Sequence, residues 1–137
     1  MVRRAHQSLA LAASALVALA ACQEDAPPAA DGSVVVPSGR EVAFLDMIAN
    51  APGAEGATAR FRFVAPGLRA GEDASADMQA LCDGYALPRI DGMVPAPQQI
   101  IIVLADRAVP FGEAAPDAVQ FFEAYSPGEG TCLWELL

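Results

Sequence analysis

Polar and apolar residues alternate most cleanly at Arg60-Phe61-Arg62-Phe63. A period of two places both phenylalanines on one face of an extended segment and both arginines on the other. Residues 58–65 therefore read as a half-buried β-strand. Upstream, Val42, Phe44 and Leu45 mark residues 40–49 as a first strand, with weak helical character in its second half. The glycine- and proline-bearing run 50–56 between the two predicts a hairpin. For Arg60 and Arg62 a solvated sheet face is the preferred expectation over an anion site.

The period then changes. Met78, Leu81, Cys82 and Tyr85 stand at i, i+3, i+4 and i+7, one stripe of an amphipathic helix. Asp73 or Ser75 can cap its start, and Gly84 can end or kink it before Pro88. Residues 100–105 are six consecutive apolar residues, four of them β-branched, the pattern of a central strand buried on both faces. Residues 109–112 suit a short edge segment that tolerates Pro110. Residues 118–125 fit either helix or strand. Their aromatic content and the turn at 126–130 favour a strand, with 131–136 as its hairpin partner and Cys132 and Trp134 on one face. These elements predict an α+β fold: a small, mostly antiparallel sheet of about five strands with one main helix packed on it.

The first 21 residues follow a different logic. Arg3 and Arg4 precede an apolar run from Leu9 to Ala18 and then small residues, which is the layout of a secretory signal. The run is too short to cross about 30 Å of hydrocarbon, for which about 20 apolar residues are needed. Leu19-Ala20-Ala21-Cys22 resembles the lipobox of bacterial lipoproteins at all four positions. The resemblance implies cleavage after Ala21 and acylation of Cys22, and two or three acyl chains anchor a protein durably where one does not. An ordinary secretory signal is the alternative. In Gram-negative lipoproteins an aspartate after the cysteine usually retains the protein at the inner membrane; Gln23 here favours the outer membrane. Residues 22–39, rich in proline, alanine and acids, read as a flexible tether, and 40–137 as the single folded domain. Within the tether, Val34 to Val36 suits a stalk segment, a short strand or a docking edge.

Composition sharpens this picture by exclusion. All 17 acidic residues follow Cys22, and six arginines remain after cleavage, a side-chain balance of −11. Nucleic-acid binding, which needs a basic footprint, is not expected. The chain has no lysine, and its one histidine, His6, lies in the signal. Histidine-dependent nucleophilic sites, histidine-ligated zinc and Schiff-base chemistry are thereby excluded from the mature protein, and no cofactor or metal is implied. With Cys22 acylated, Cys82 and Cys132 form an even pair in an oxidising compartment, and a helix-to-strand disulfide is expected.

Carboxylates and aromatics are the remaining chemistry. Asp106, Glu113 and Asp117 follow the central strand and are the candidate catalytic group for a carboxylate hydrolase, although turn and cap roles are the simpler reading. Tyr125 and Trp134, with Phe121 and Phe122, are candidates for an aromatic glycan- or ligand-binding platform, with core packing the simpler reading.

Residues 60–66, 77–88, 110–125 and 132–135 resemble a family of small exported alphaproteobacterial proteins without an assigned function. The resemblance covers residues 40–137 and implies one folded domain with paired cysteines; it transfers no active site. The expectation is a non-enzymatic, lipid-tethered domain that meets an envelope protein in the periplasm.

Overall fold

The computed structural model describes residues 32–49 and 56–137. Strands β1 (Ala43–Ala49), β2 (Thr58–Val64), β3 (Gln99–Ala105), β4 (Gln120–Pro127) and β5 (Cys132–Glu135) form one sheet in the order β1-β2-β3-β4-β5. Three of its pairings are antiparallel, and β2–β3 is parallel. A parallel step needs a crossover. It is made by α1 (Ser75–Leu81), a π-helical turn (Cys82–Ala86) and α2 (Leu87–Arg89), which run on as one helical stretch. The expected α+β sheet, main helix and disulfide are all present.

Alternation along β2 divides the sheet. Phe61 and Phe63 are buried on the helix side, in register with Ile102 and Leu104 of β3. Met78, Leu81 and Cys82 are buried against them, so the helical stripe does what its spacing requires. Tyr85 is only half-buried, but its ring lies 4.9 Å from that of Phe44 and 5.3 Å from that of Phe63, closing an aromatic cluster at the β1 end of the core. β3 is buried along its whole length, as expected of a strand with neighbours on both edges and cover on both faces.

Four local expectations need correction. β1 begins at Ala43 rather than residue 40, has no helical half, and carries a bulge between Phe44 and Asp46. Gly84 does not end the helix; the chain widens into the π turn there and continues to Arg89. Asp73 sits one residue before the N-cap, Ala74, and accepts the Ser75 N–H at 2.9 Å; no side chain caps the helix. Residues 109–112 are a loop, not an edge strand, held by Arg62 as described below. The segment ambiguous between helix and strand is β4, paired with β3 and β5.

The end of the expected tether is also part of the fold. Residues 32–39 pack on the domain: Ser33 bridges Ala43, the Val34 N–H donates to the Val42 carbonyl at 2.8 Å, and Val36 is buried in the core. Asp77, in the first turn of α1 and 3% exposed, anchors the segment. It accepts the Ser38 N–H at 2.9 Å and the Ser38 hydroxyl at 2.6 Å, and pairs with Arg40 at 2.9 Å. The signal, Cys22 and the remainder of the tether lie outside the described residues.

Candidate functional site

The arginines of β2 define the most developed surface feature. Arg62 is in register with Asp46 of β1 on the face away from the helix. It donates from Nε to Asp46 Oδ1 at 2.6 Å and from Nη2 to Asp46 Oδ2, the bidentate geometry a carboxylate allows. Its Nη1 donates to the Val109 carbonyl at 2.6 Å, which draws the loop after β3 over the sheet. Asp46 raises the Arg62 pKa through these hydrogen bonds. The expected solvated arginine face is therefore a correction: Arg62 is largely buried and every nitrogen of its guanidinium is engaged.

Arg60 differs. It is half-buried, its Nε is shielded from solvent, and that atom has no hydrogen-bond partner among the described residues. Burial first, then the charge of Arg62, lowers its pKa. Both guanidinium groups lie over the Phe111 ring, at 5.5 and 5.7 Å from its centroid. Together with Val103, Glu113 and Phe122 they line a groove of about 480 Å³.

Glu113 is the only one of the three carboxylate candidates in this groove. Asp106 instead accepts the Val119 N–H at 3.2 Å and is paired with Arg107 at 3.1 Å, and that arginine's hydrogen bond lowers the Asp106 pKa. Arg107 also donates to the Asp117 backbone carbonyl at 3.2 Å. Asp106 thus fastens the start of β4 to the end of β3, a turn role. The structure does not assemble the three as a carboxylate site.

The aromatic platform is divided by the pleat of β4. Phe121 and Tyr125 face the helix, whereas Phe122 pairs with Val103 on the opposite face. Tyr125 is fully buried, and its hydroxyl donates to Glu123. Burial, then that hydrogen bond, raises its pKa far above an ordinary phenol. Trp134 is in register with Tyr125 and 57% exposed. Ser75, Gln79, Glu123, Tyr125 and Trp134 line a shallow groove of about 410 Å³ between α1 and the end of the sheet.

The disulfide stands beside that groove. Cys82 at the start of the π turn is bonded to Cys132 at the start of β5, with Cα atoms 6.1 Å apart. Gln79 donates to the Cys132 carbonyl at 3.0 Å, and to Asp83 at 2.9 Å. Sequence reasoning identified the cysteines by parity but missed this polar clasp, whose only signal was the pairing of two polar residues four apart on a helix.

Among the described residues no cluster of histidine, cysteine and carboxylate side chains has the makings of a metal site, and no helix is long and apolar enough to cross a membrane. The fold and its surface thus define a small, disulfide-stapled α+β domain whose clefts are open grooves. The chain belongs to a family of unknown function, DUF6497, whose family model matches residues 11–137. No curated protein and no solved structure matches the chain.

Proposed function

We propose that this protein is a lipid-anchored, non-enzymatic interaction domain of the Gram-negative cell envelope, which binds a partner protein along strand β5. The carrying observation is the edge itself. β5 ends the sheet, and its Leu133 and Trp134 are more than half exposed, followed by exposed Leu136 and Leu137. Beyond Cys132, whose backbone is held by Asp83 and Gln79, an exposed apolar edge strand can offer backbone donors and acceptors to an added strand, with side-chain pockets supplying specificity. The groove beside Trp134 and Gln79 adjoins this edge and suits a side chain of such a strand. At the other edge, β1 is partly covered by the bridge from Ser33 to Ala43.

The anchor in this reading is Cys22, on the strength of Leu19-Ala20-Ala21-Cys22, and Gln23 favours the outer membrane. The non-enzymatic assignment is supported by the absence of histidine and lysine after residue 21, and by the structural engagement of Asp106.

A photo-crosslinking amino acid placed at position 133 of the full chain, irradiated in intact envelopes, tests the partner. One stoichiometric adduct, lost with Trp134→Asp, is expected; labelling of no defined protein would overturn the reading. Cys22→Ala separates the anchor from the partner, because it should abolish acyl incorporation and block signal processing while leaving the β5 edge intact.

A further inference from the structure

We propose that the groove beneath Phe111 binds a small organic monoacid, with its carboxylate on Arg60 and an apolar body against Val103, Phe111 and Phe122. Arg60 is an uncompensated charge. Among the described residues its buried Nε has no hydrogen-bond partner and no ion pair includes it. A shielded, unpaired donor on a cation destabilises the free protein; the Nη groups of Arg60, which are not shielded in this way, are the atoms a carboxylate in the groove would meet to balance the charge.

The neighbouring acids on that face are already engaged. Asp46 is held by Arg62 on two oxygens. The cross-strand row from Arg60 through Ile101 and Ala124 ends on Glu135, whose two oxygens accept from Gln99 and Ser126. What is left is Glu113, exposed on the groove wall.

These features select the ligand class. One free guanidinium balances one negative charge, and Glu113 opposes a second, so a phosphate dianion is disfavoured relative to a carboxylate. The planar fork of the arginine suits a carboxylate's two oxygens. The walls contributed by Val103, Phe111 and Phe122 are apolar, and Phe111 is 49% exposed, so a flat aromatic or branched aliphatic body covers hydrophobic surface that is now wet. The volume of about 480 Å³ lies within the span of small-molecule sites, about 300–1,000 Å³. This groove is on the sheet face opposite the Trp134 groove, so it stands or falls independently of the β5 reading.

Titration of the full-length protein in detergent with 3-phenylpropionate, followed by NMR at the Arg60 Nε and the Phe111 ring, tests the site. Saturable shifts are expected, with 3-phenylpropionamide binding at least about tenfold more weakly because it lacks the charge. Arg60→Met should weaken the acid at least about tenfold while leaving the melting temperature equal or higher, since it removes an unpaired buried donor. Glu113→Gln should tighten binding severalfold. Equal affinity for acid and amide, full binding by Arg60→Met, or a lowered melting temperature of Arg60→Met would each overturn the proposal, the last by making Arg60 a packing residue. No saturation up to about 10 mM acid would also overturn it. A tripeptide ending in phenylalanine, with free or amidated C-terminus, separates the sources of the acid. Tighter binding of the free-acid peptide than of 3-phenylpropionate assigns the carboxylate to a polypeptide end, and weaker or equal binding assigns it to a free small molecule; both uphold the site.

Discussion

The Asp83 carboxylate accepts the backbone N–H of Cys132 at 2.6 Å, one residue along from the cysteine bonded to that same Cys132. The helix is therefore fastened to Cys132 three times, covalently through Cys82, by the Gln79 amide donating to its carbonyl, and by a charge-assisted hydrogen bond from its N–H to Asp83. Thr131 adds a hydroxyl to the same oxygen at 3.2 Å. β5 is short and lies at the sheet's edge, so this clasp adds to its pairing with β4 in holding its position.

Reduction of the disulfide should lower unfolding stability by about 4 kcal/mol, the chain-entropy expectation for cysteines 50 residues apart. Urea titration with and without reductant measures it. Asp83→Asn should cost about 1.5–3 kcal/mol, and more after reduction, when the hydrogen bonds of Asp83 and Gln79 are what still tie the helix to Cys132. Equal costs in the two redox states would show that the two links act separately.

Asp77→Asn should cost about 3 kcal/mol, because it breaks a buried pair with Arg40 and weakens two hydrogen bonds from Ser38. It should also release residues 32–39 from the helix. Limited proteolysis is the direct readout: cleavage between Gly32 and Arg40 should accelerate before the domain unfolds globally. A variant cut no faster than the parent would mean that burial of Val36 and the backbone bonds to Val42 and Ala43 hold the segment without Asp77.

Acid should expose a second tie of the same region. Glu72 accepts two hydrogen bonds from Arg40, at 2.8 and 2.9 Å, and the Arg69 N–H at 2.7 Å. The Arg40 hydrogen bond, then that from the Arg69 backbone, lowers its pKa from 4.5 to about 2. A carboxyl lowered on folding contributes stability that is fully present above 4.5 and is lost as pH falls through 2. Melting temperatures measured from pH 5 to about pH 2 should therefore fall more steeply for the parent than for Glu72→Gln, with the two converging at the acid end. Parallel curves would remove Glu72 from the acid response.

What the sequence made legible follows from periodicity. The two phenylalanines of β2, the Met78-Leu81-Cys82 stripe and the apolar run of β3 each declare a buried face through local spacing alone. The parallel β2–β3 register was not legible, since it depends on where a crossover returns the chain. Nor was the difference between Arg60 and Arg62, two identical residues in identical alternation. Asp46, brought opposite Arg62 by the register of β1, distinguishes them, together with a loop carbonyl 47 residues along the chain. The aromatic platform failed for a related reason: adjacent Phe121 and Phe122 look like a patch in sequence, and a strand sends them to opposite faces.

Two glycines should respond to alanine with opposite sign. Gly84 lies in the π turn; a Cβ there meets nothing within 4 Å, and its φ is outside the left-handed region. Gly84→Ala removes unfolded-state freedom without a clash, and should raise stability by about 0.5–1 kcal/mol. Gly128 lies in the β4–β5 hairpin, and its N–H donates to the Thr131 carbonyl at 3.0 Å. A Cβ at Gly128 would stand 2.6 Å from that same carbonyl oxygen, a backbone atom that can move only if the hairpin opens. Gly128→Ala should therefore cost about 1–3 kcal/mol. Its damage should also be local: Thr131 and Cys132 lead directly into the clasp formed by Asp83, so the hairpin's distortion reaches β5. Urea midpoints give the two signs, and amide exchange at Leu133 and Trp134 gives the location. Faster exchange there in Gly128→Ala, with β2 and β3 unchanged, would tie the turn to the order of the β5 edge; uniform acceleration would instead mark a global loss of stability.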